Sequence, residues 1–435
     1  MAFDKKRANL RKDWVGKYNK ENVLDFNEKQ VSYTDFIHKD LIHFSNYDTG
    51  RSIPSMCDGL KISQRKILFS GFKKNLKKEI KVAQFSGYIS EQTSYHHGEM
   101  SLQGAIVSMA QNYVGSNNIN LFEPNGQFGT RLMGGKDSAS SRYIHTTLSK
   151  LTEFIFRKED QPLLTYLEDD GYTIEPEFYI PIIPMILVNG SIGIGTGFST
   201  NIPSYHPLHI VENIKNNLVN KKPKKMKPWF RGFKGDIIKI KDVYYTKGKY
   251  FIMRDQIIIT ELPVGTWTDN YKEFLEKKKL DCKYIRDIVN NSTESEVRFE
   301  ITMTTAKIRE LTTTFVDQDN GITKFDKEFK LYNNKFTRTS NMYLFNHMKQ
   351  IKKYTIFDIL KEYCKIRIYY YKKRKEYLLN KLQSELLYID AKIKFILEII
   401  HKTLIISNRK KIELENELKT KKYPMKKNGD KKSYD

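Results

Sequence analysis

Cysteine is scarce in this chain of 435 residues. The three cysteines, Cys57, Cys282 and Cys364, lie far apart and lack the close spacing of metal-binding motifs. A disulfide-stapled domain has a much higher cysteine density, and a structural zinc site draws its ligands from closely spaced pairs. The pattern therefore excludes a disulfide framework, fits a reducing compartment and predicts no metal site in this chain.

Long apolar runs are also missing. A membrane helix needs ~20 predominantly apolar residues, and no uninterrupted apolar run approaches that length. The opening sequence MAFDKKRANLRKDW has no apolar signal core. We therefore expect an intracellular protein that does not enter a membrane.

Acidic residues are too few to balance the basic ones. There are 75 Lys and Arg against 51 Asp and Glu, which leaves a formal charge of +24. This excess predicts a polyanionic partner, with nucleic acid first. The alternative is a solvated surface typical of a Lys- and Asn-rich proteome, because net charge does not identify the polyanion.

Hydrophobic residues make up 39 % of the sequence, which is enough for more than one core. We predict a mixed α and β, multidomain fold, in which short helices with glycine-rich connections form a winged helix-turn-helix. The predicted segments are an N-terminal arm (1–29), a winged-helix domain (30–165), an α/β lobe (166–345), a long helix (346–402) and a final segment with a polar tail (403–435).

Periodicity predicts several helices in the first half of the chain. They cover VSYTDFIHKDLIHFS, MSLQGAIVSMAQNYV and ASSRYIHTTLSKLTEFIF. Between residues 51 and 81, Ile67, Leu68 and Phe72 share one face of a basic helical element.

Strand signals dominate the lobe that follows. VYYTKGKYFI is predicted to form a hairpin that turns at Lys247 and Gly248, and IIITELP is predicted to be another strand. A helix is predicted from about 207 to 219.

One long helix is predicted from about residue 356. Its apolar residues keep the 3,4 spacing of coiled-coil a and d positions. They are Leu379, Leu382, Leu386, Ile389, Ile393, Ile396 and Ile400. The alternative is a helix packed along its own domain, and no antiparallel partner is evident in the polar C-terminal sequence.

The stretch GGKDSASSRYIHTTLSKL contains the best candidate for chemistry. A phenol attacks phosphorus only if its proton is removed and charge on the phosphate is offset, and Arg142, next to Tyr143, is suited to the second task. The small residues before Arg142 leave room for a nucleic-acid backbone. The alternative is a helix N-terminus capped by Asp137 or Ser138, with Tyr143 in the core.

Two further segments are candidates for DNA contact. In YHHGE, His96 and His97 lack a third ligand at a sensible spacing, so phosphate contact is favoured over metal. In GSIGIGTG no helix opens after the glycines, as a dinucleotide site requires, and no ATP site is visible. Ile194 on this loop is either core or a wedge between base steps.

Taken together, these stretches resemble the DNA breakage and reunion region of eukaryotic-type type IIA DNA topoisomerases. The resemblance covers most of residues 10 to 400, in family order. It is carried by RSIPSMCDGLKISQRKIL, FKKNLKKEIKVAQ, YHHGEMSLQGAI, NYVGSNNINLFEPNGQFGTR, GGKDSASSRYI, EPEFYIPIIPMILVNGSIGIGTGFST, PWFRGFKG and ITELPVGTWT.

The resemblance implies a homodimeric enzyme that cuts both strands of one duplex, passes another through and reseals. Tyr143 would form the 5′-phosphotyrosyl bond, Arg142 would stabilise the scissile phosphate, and Ile194 would bend the cut duplex. The lobe would be the family's tower, and the long helix the first arm of the coiled coil leading to its exit gate. The other implied DNA contacts are Arg51, Lys61, Arg65, Lys66, His96, His97, Arg131 and Lys136.

The resemblance also implies Mg²⁺ and ATP, bound by domains whose signatures this sequence lacks. The metal-binding TOPRIM and ATPase portions would act in cis or in trans, so this chain alone is expected to bind double-stranded DNA but to cleave it poorly. The implied compartment is the nucleus or another that contains DNA. Within the motifs, Ile192 replaces an acidic residue and Gly265 an arginine.

Two other functions stay open. One is a non-catalytic module that binds and bends DNA, because the basic groove and the wedge need no metal. The other is an RNA-binding protein, since positive charge serves either polyanion.

Overall fold

The computed structural model describes residues 4–25, 27, 29–332, 337–428 and 431–433. The chain divides into two compact units, Met1–Arg367 and Ile368–Asp435. The finer division into five segments remains a prediction. The predicted N-terminal arm and polar tail fall in part on residues outside this description.

The first unit begins with six helices. A π-helical turn, Ile37–Leu41, joins the second to the third, so the helix predicted at VSYTDFIHKDLIHFS is confirmed with an irregular middle. The helices are α1 (Ala8–Gly16), α2 (Tyr33–Phe36), α3 (Ile42–Ser52), α4 (Ile62–Lys73), α5 (Val82–Thr93) and α6 (Glu99–Ala110).

Helices α4, α5 and α6 pack on one another, in the manner of a helix-turn-helix domain. Ile67 and Leu68 of α4 are fully buried, as the periodicity predicts. At the start of α4 the side chain of Gln64 accepts from the Lys61 N–H over 3.0 Å, which satisfies a free backbone donor. Helix α6 confirms the helix predicted at MSLQGAIVSMAQNYV but ends at Ala110.

The third helix predicted in this region is wrong over its first half. Residues 141–143 form a turn, and a helix starts only at Lys150. The cause is tertiary pairing, because the backbone of Ile144 and His145 bonds to other segments rather than to its own next turn. The elements here are β1 (Ile80–Lys81), paired with β2 (His145–Thr146), and α7 (Lys150–Ile155).

Two antiparallel hairpins and two helices follow. A short 3-10 helix, Lys158–Leu163, precedes them. The predicted helix near 207–219 is confirmed. The elements are β3 (Tyr166–Asp169) with β4 (Tyr172–Pro176), α8 (Met185–Asn189), β5 (Ser191–Ile194) with β6 (Ser199–Ile202), and α9 (Pro207–Leu218).

The α/β lobe contains two larger sheets, of strand orders β15-β8-β7 and β11-β12-β10-β9. Its helices and its apolar sheet face enclose a core that includes Ile257, Tyr271 and Phe299. The elements of these sheets are β7 (Asp236–Ile240), β8 (Val243–Lys247), β9 (Lys249–Met253), β10 (Gln256–Glu261), α10 (Thr268–Asp281), β11 (Ile285–Asn290), β12 (Phe299–Met303) and β15 (Thr337–Arg338).

The hairpin predicted at Lys247 and Gly248 is wrong, although both flanking segments are strands. Strand β8 pairs with β7, and β9 pairs with β10, so the two strands belong to different sheets. A Cβ on Gly248 would lie 2.5 Å from the carbonyl oxygen of Glu261. This close backbone approach requires glycine, which explains the turn-like local sequence. Strand β10 confirms the strand predicted at IIITELP.

Small elements complete the first unit and lead into the long helix. They are α11 (Thr305–Thr313), β13 (Phe315–Asp317), β14 (Ile322–Thr323), α12 (Lys324–Glu328), β16 (Tyr343–Phe345) and β17 (Ile351–Lys353). The predicted long helix is confirmed as α13 (Ile356–Ile400).

In the second unit, the seven predicted a and d residues of α13 are 46–64 % exposed. A shorter helix, α14 (Lys411–Thr420), returns to the end of α13, where Leu404, Leu418 and Tyr423 are buried against Phe395. Strands β18 (Lys426–Asn428) and β19 (Lys431–Ser433) form a last hairpin. No helix in the described ranges is long and apolar enough to cross a bilayer.

A buried ion pair holds the start of α4. Asp58 and Arg65 are 0 % and 6 % exposed, and the Arg65 Nε donates to the Asp58 carboxylate over 2.8 Å. The same carboxylate accepts from the backbone N–H groups of Leu60 and Tyr179, each at 2.9 Å. Asp58 therefore joins α4 to the segment after β4.

We expect Asp58→Ala to lower the free energy of unfolding of the first unit by about 3–5 kcal/mol, because it strands a buried guanidinium. Urea denaturation followed by tryptophan fluorescence measures this loss, since Trp14, Trp229 and Trp267 all lie in that unit. The matched control is Glu276→Ala, which removes an exposed partner of Lys272 on α10. A loss as small as the control's would contradict the assignment.

Candidate DNA-binding and cleavage site

The turn that carries Arg142 and Tyr143 is anchored on both sides. Before it, the carbonyl of Ser141 accepts from the Ala83 N–H over 3.1 Å, at the start of α5. After it, the carbonyl of Ile144 accepts from the Val82 N–H over 3.0 Å, and the Ile144 side chain is 1 % exposed. The Tyr143 N–H donates to the Ser140 carbonyl over 2.9 Å and closes the turn.

Tyr143 lies on the surface of the protein. Its side chain is 76 % exposed, and Arg142 beside it is exposed as well. The alternative of a core tyrosine is therefore wrong. An accessible phenol with an adjacent guanidinium on a fixed turn has the parts for nucleophilic attack on a phosphodiester.

A second group of polar side chains lies where α3 meets the segment between α5 and α6. The Tyr47 hydroxyl is hydrogen-bonded to Nε2 of His97, and the Arg51 guanidinium lies 5.6 Å from the centre of the Tyr47 ring. Tyr95 packs edge-on against His97 at 5.2 Å. Burial, and then the positive charge of Arg51, lower the pKa of His97. The imidazole is thus favoured in its neutral form.

Sequence reasoning found Arg51 and His97 but missed Tyr47. Tyr47 lies four residues before Arg51 in α3, so the two side chains share a helix face. This spacing is a usable signal, although one tyrosine among 27 does not stand out without the contact to His97.

His96 and Lys66 border this group differently. His96 is 80 % exposed, with its Nε2 3.7 Å from the Asp169 carboxylate. Lys66 is largely buried, and its ammonium donates to the Thr93 carbonyl over 2.6 Å and to Glu175 over 2.9 Å. Lys66 therefore ties α4 to the end of α5 and to β4, and its charge is already paired.

Ile194 lies at the end of β5 in the β5/β6 hairpin and is 78 % exposed, so the alternative of a core residue is wrong. The hairpin rests on α3 through glycines. A Cβ on Gly193 would lie 2.0 Å from the Ser52 carbonyl oxygen, and one on Gly195 would lie 2.9 Å from the Thr49 Cα. Only glycine permits this approach, which presents Ile194 to solvent on a rigid base.

Lys61 also supports this hairpin. Its ammonium donates to the Ile192 carbonyl over 2.8 Å, and burial lowers its pKa. The side chain is half-buried, so it holds the hairpin from the N-terminus of α4 while part of its surface faces solvent.

Two predicted DNA contacts need correction. Arg65 is committed to Asp58, and Arg131 is 5 % exposed with its guanidinium bonded to Glu261. A buried arginine that already bonds a carboxylate has no free face for a phosphate. Both therefore hold the fold, whereas Lys136, in the same loop as Arg131, is exposed.

The described residues contain no group of three or more His, Cys, Asp or Glu that could hold a metal ion. We therefore assign no magnesium ligands to this part of the chain.

The family follows from comparison with known proteins. The model of the DNA gyrase/topoisomerase IV family matches residues 51–426. The chain therefore belongs to the DNA gyrase/topoisomerase IV family. A model of the C-terminal associated domain of TOPRIM matches residues 1–49.

Its relatives are eukaryotic enzymes of this class. DNA topoisomerase 2 of Arabidopsis thaliana is 46 % identical over 97 % of this chain, which spans 28 % of that protein. The mitochondrial DNA topoisomerase 2 of Dictyostelium discoideum is 43 % identical over 97 % of this chain, which spans 32 % of it. The chain thus spans about a third or less of these relatives.

A solved structure confirms the mixed α and β fold with its long helix. It is the DNA-binding, cleavage and re-ligation domain of Plasmodium falciparum topoisomerase II, at 44 % identity and a TM-score of 0.87. The match covers 99 % of this chain and 58 % of that one.

We expect Arg51→Gln to raise the pKa of His97 towards that of an unfolded histidine, because a nearby positive charge is removed. An NMR titration of His97 measures the change. Because the folded pKa is depressed, neutral His97 is compatible with full stability above pH ~6.5, and stability falls as the pH drops through the folded pKa.

The control for this titration is Arg309→Gln, which removes an exposed arginine from α11. An equal shift of the His97 titration in both variants would show that Arg51 acts only through net charge.

Proposed function

We propose that this chain is the DNA breakage and reunion part of a type IIA DNA topoisomerase, an isomerase that relaxes supercoils and resolves catenanes by passing one duplex through another. The observation that carries the proposal is the exposed, anchored turn of Arg142 and Tyr143. Family membership supports it, and so does the positive charge of the chain.

In the proposed step, the phenol oxygen of Tyr143 attacks the phosphorus of a DNA phosphodiester. The bond from phosphorus to the 3′ oxygen breaks, a 5′-phosphotyrosyl bond forms, and the phenol proton is lost as the 3′ oxygen gains one. One phosphodiester replaces another, so the free energy of the bond is kept and the reverse attack reseals the strand. Arg142 offsets charge on the phosphate through its planar fork.

Double-stranded DNA is the proposed substrate, held mainly through its phosphates. Their proposed contacts share exposure or partial exposure near the turn, α3 or the β5/β6 hairpin. They are Arg51, Lys61, His96, His97 and Lys136. Lys66 is proposed only as a second contact, because its ammonium already bonds Glu175. Ile194 is proposed to enter between base steps and to kink the duplex.

The whole enzyme is proposed to be a homodimer that uses Mg²⁺ and ATP. Both would bind in portions of the enzyme outside this chain, which spans only part of its relatives. Mg²⁺ would supply charge stabilisation for the attacking and leaving oxygens when bound. The proposed compartment is the nucleus or another that contains DNA, since one relative is mitochondrial.

We expect Tyr143→Phe to abolish covalent protein–DNA adducts, because phenylalanine has no nucleophilic oxygen. The assay incubates the enzyme that contains this chain, with its metal-binding portion, with supercoiled DNA and Mg²⁺. Denaturation is followed by detection of protein on 5′ ends. Tyr172→Phe is the matched control, since Tyr172 is 75 % exposed in the same unit. Adducts that survive Tyr143→Phe would overturn the proposal.

We expect Ile194→Ala to reduce DNA bending while salt-dependent binding persists, because unstacking needs an apolar wedge and charge neutralisation does not. End-to-end fluorescence transfer in a labelled duplex measures bending. Leu208→Ala, which truncates a residue of similar exposure on α9, is the control. Unchanged bending in Ile194→Ala would refute the wedge.

The second candidate function is a DNA-binding and bending module without catalysis. It is favoured by the exposed side chain of Ile194 and by the positive charge of the chain, because neither bending nor phosphate contact needs the Tyr143 hydroxyl. The adduct assay separates the two functions, because a purely architectural module forms no Tyr143-dependent adduct even when the metal-binding portion is supplied. Competition between duplex DNA and structured RNA across a salt series tests the RNA-binding alternative.

A further inference from the structure

A buried glutamine of α6 contacts the turn that carries Tyr143. Gln103 is 9 % exposed, and its Oε1 accepts from the Ser141 hydroxyl over 2.7 Å. Ser141 directly precedes Arg142. The link therefore runs from the interior of the domain to the residue next to the proposed reactive pair.

The orientation of the Gln103 carboxamide is set by a second contact. Its Nε2 donates to the Glu99 carboxylate over 2.6 Å, one helical turn earlier in α6. Because Glu99 accepts only when ionised, it selects the nitrogen of the amide and leaves the oxygen to face Ser141. The three side chains thus form a directed chain of hydrogen bonds, Ser141 to Gln103 to Glu99.

The remaining anchors of the turn come from the backbone of other elements. Ala83 of α5 donates to the Ser141 carbonyl, and Val82 donates to the Ile144 carbonyl. These bonds fix the ends of the turn to α5. The Gln103 contact adds a fixed point on α6, so Ser141 is held from two helices at once.

We propose that Gln103 is a positioning residue for DNA cleavage, which acts through the Ser141 hydroxyl to fix the turn of Arg142 and Tyr143. This inference rests on the proposed function. Gln103 is too buried to reach DNA itself, so its effect is on geometry and not on binding. Displacement of a reacting group by about 1 Å is enough to slow a reaction by about 100-fold.

The test measures the rate of Tyr143-dependent adduct formation at saturating DNA and, separately, the affinity for DNA. We expect Gln103→Met to lower the rate about 10- to 100-fold and to leave the affinity within about twofold. Gln92→Met, the same substitution at a half-exposed site of α5, is the matched control. A Gln103→Met rate equal to that of the control would overturn the inference.

A double-variant comparison tests the route through Ser141. We expect Ser141→Ala to slow adduct formation, and Ser141→Ala with Gln103→Met to be no slower than the worse single variant, because both remove one link. Multiplied effects would show that Gln103 acts by another path and would refute the proposal.

Exchange of the two α6 partners provides a rescue. Glu99→Gln with Gln103→Glu keeps a donor at 99 and acceptor oxygens at 103, so the hydrogen-bond chain to Ser141 is conserved. We expect this double variant to be faster than Gln103→Glu alone, in which two carboxylates face each other. Absence of rescue would contradict the directed chain.

Hydrogen exchange provides a readout that does not depend on activity. We expect the Tyr143 amide, which donates to the Ser140 carbonyl, to exchange faster in Gln103→Met than in the parent protein. Unchanged exchange would count against positioning. If Tyr143→Phe retains adducts, the proposed function fails; if adducts need Tyr143 but ignore Gln103, only this inference fails.

Discussion

The position of α4 is fixed by charged groups that are shielded from water. Asp58 and Arg65 pair in the interior, and the next residue, Lys66, reaches both Glu175 and the end of α5. Such pairs add little net stability compared with apolar packing, but the loss of one partner is costly, so they specify one arrangement. The segment with His97 starts directly after α5. The candidate DNA surface therefore inherits its geometry from these pairs.

Charge counting in the sequence cannot separate these structural cations from those that face solvent. Arg65 and Lys66 are adjacent and equally basic in pattern, yet the acid that neutralises Arg65 lies seven residues earlier, outside helical i,i+4 reach. Arg131 finds Glu261 130 residues away. Long-range partners of this kind leave no local trace. By contrast, the exposed residues Arg142, Tyr143 and Ile194 were found because special local chemistry surrounds them.

Secondary structure was predictable where one face of a helix is buried and unreliable where distant backbone groups compete. The long helix and the apolar face of α4 follow from periodicity alone. The turn at Tyr143 has a helix-compatible sequence, but α5 and β1 take its hydrogen bonds. At Gly248 the sequence signals a bend correctly, whereas the sheet that each strand joins depends on partners elsewhere.

The row of Leu and Ile along α13 affects how the polypeptide behaves in solution. The row runs from Leu379 to Ile400, about 30 Å at 1.5 Å per residue, and all seven side chains are about half exposed. An apolar strip of this length adheres to other apolar surfaces when nothing shields it. Dilute buffers, low ionic strength and mild surfactant thus become part of handling this polypeptide, and turbidity that rises with concentration is its signature.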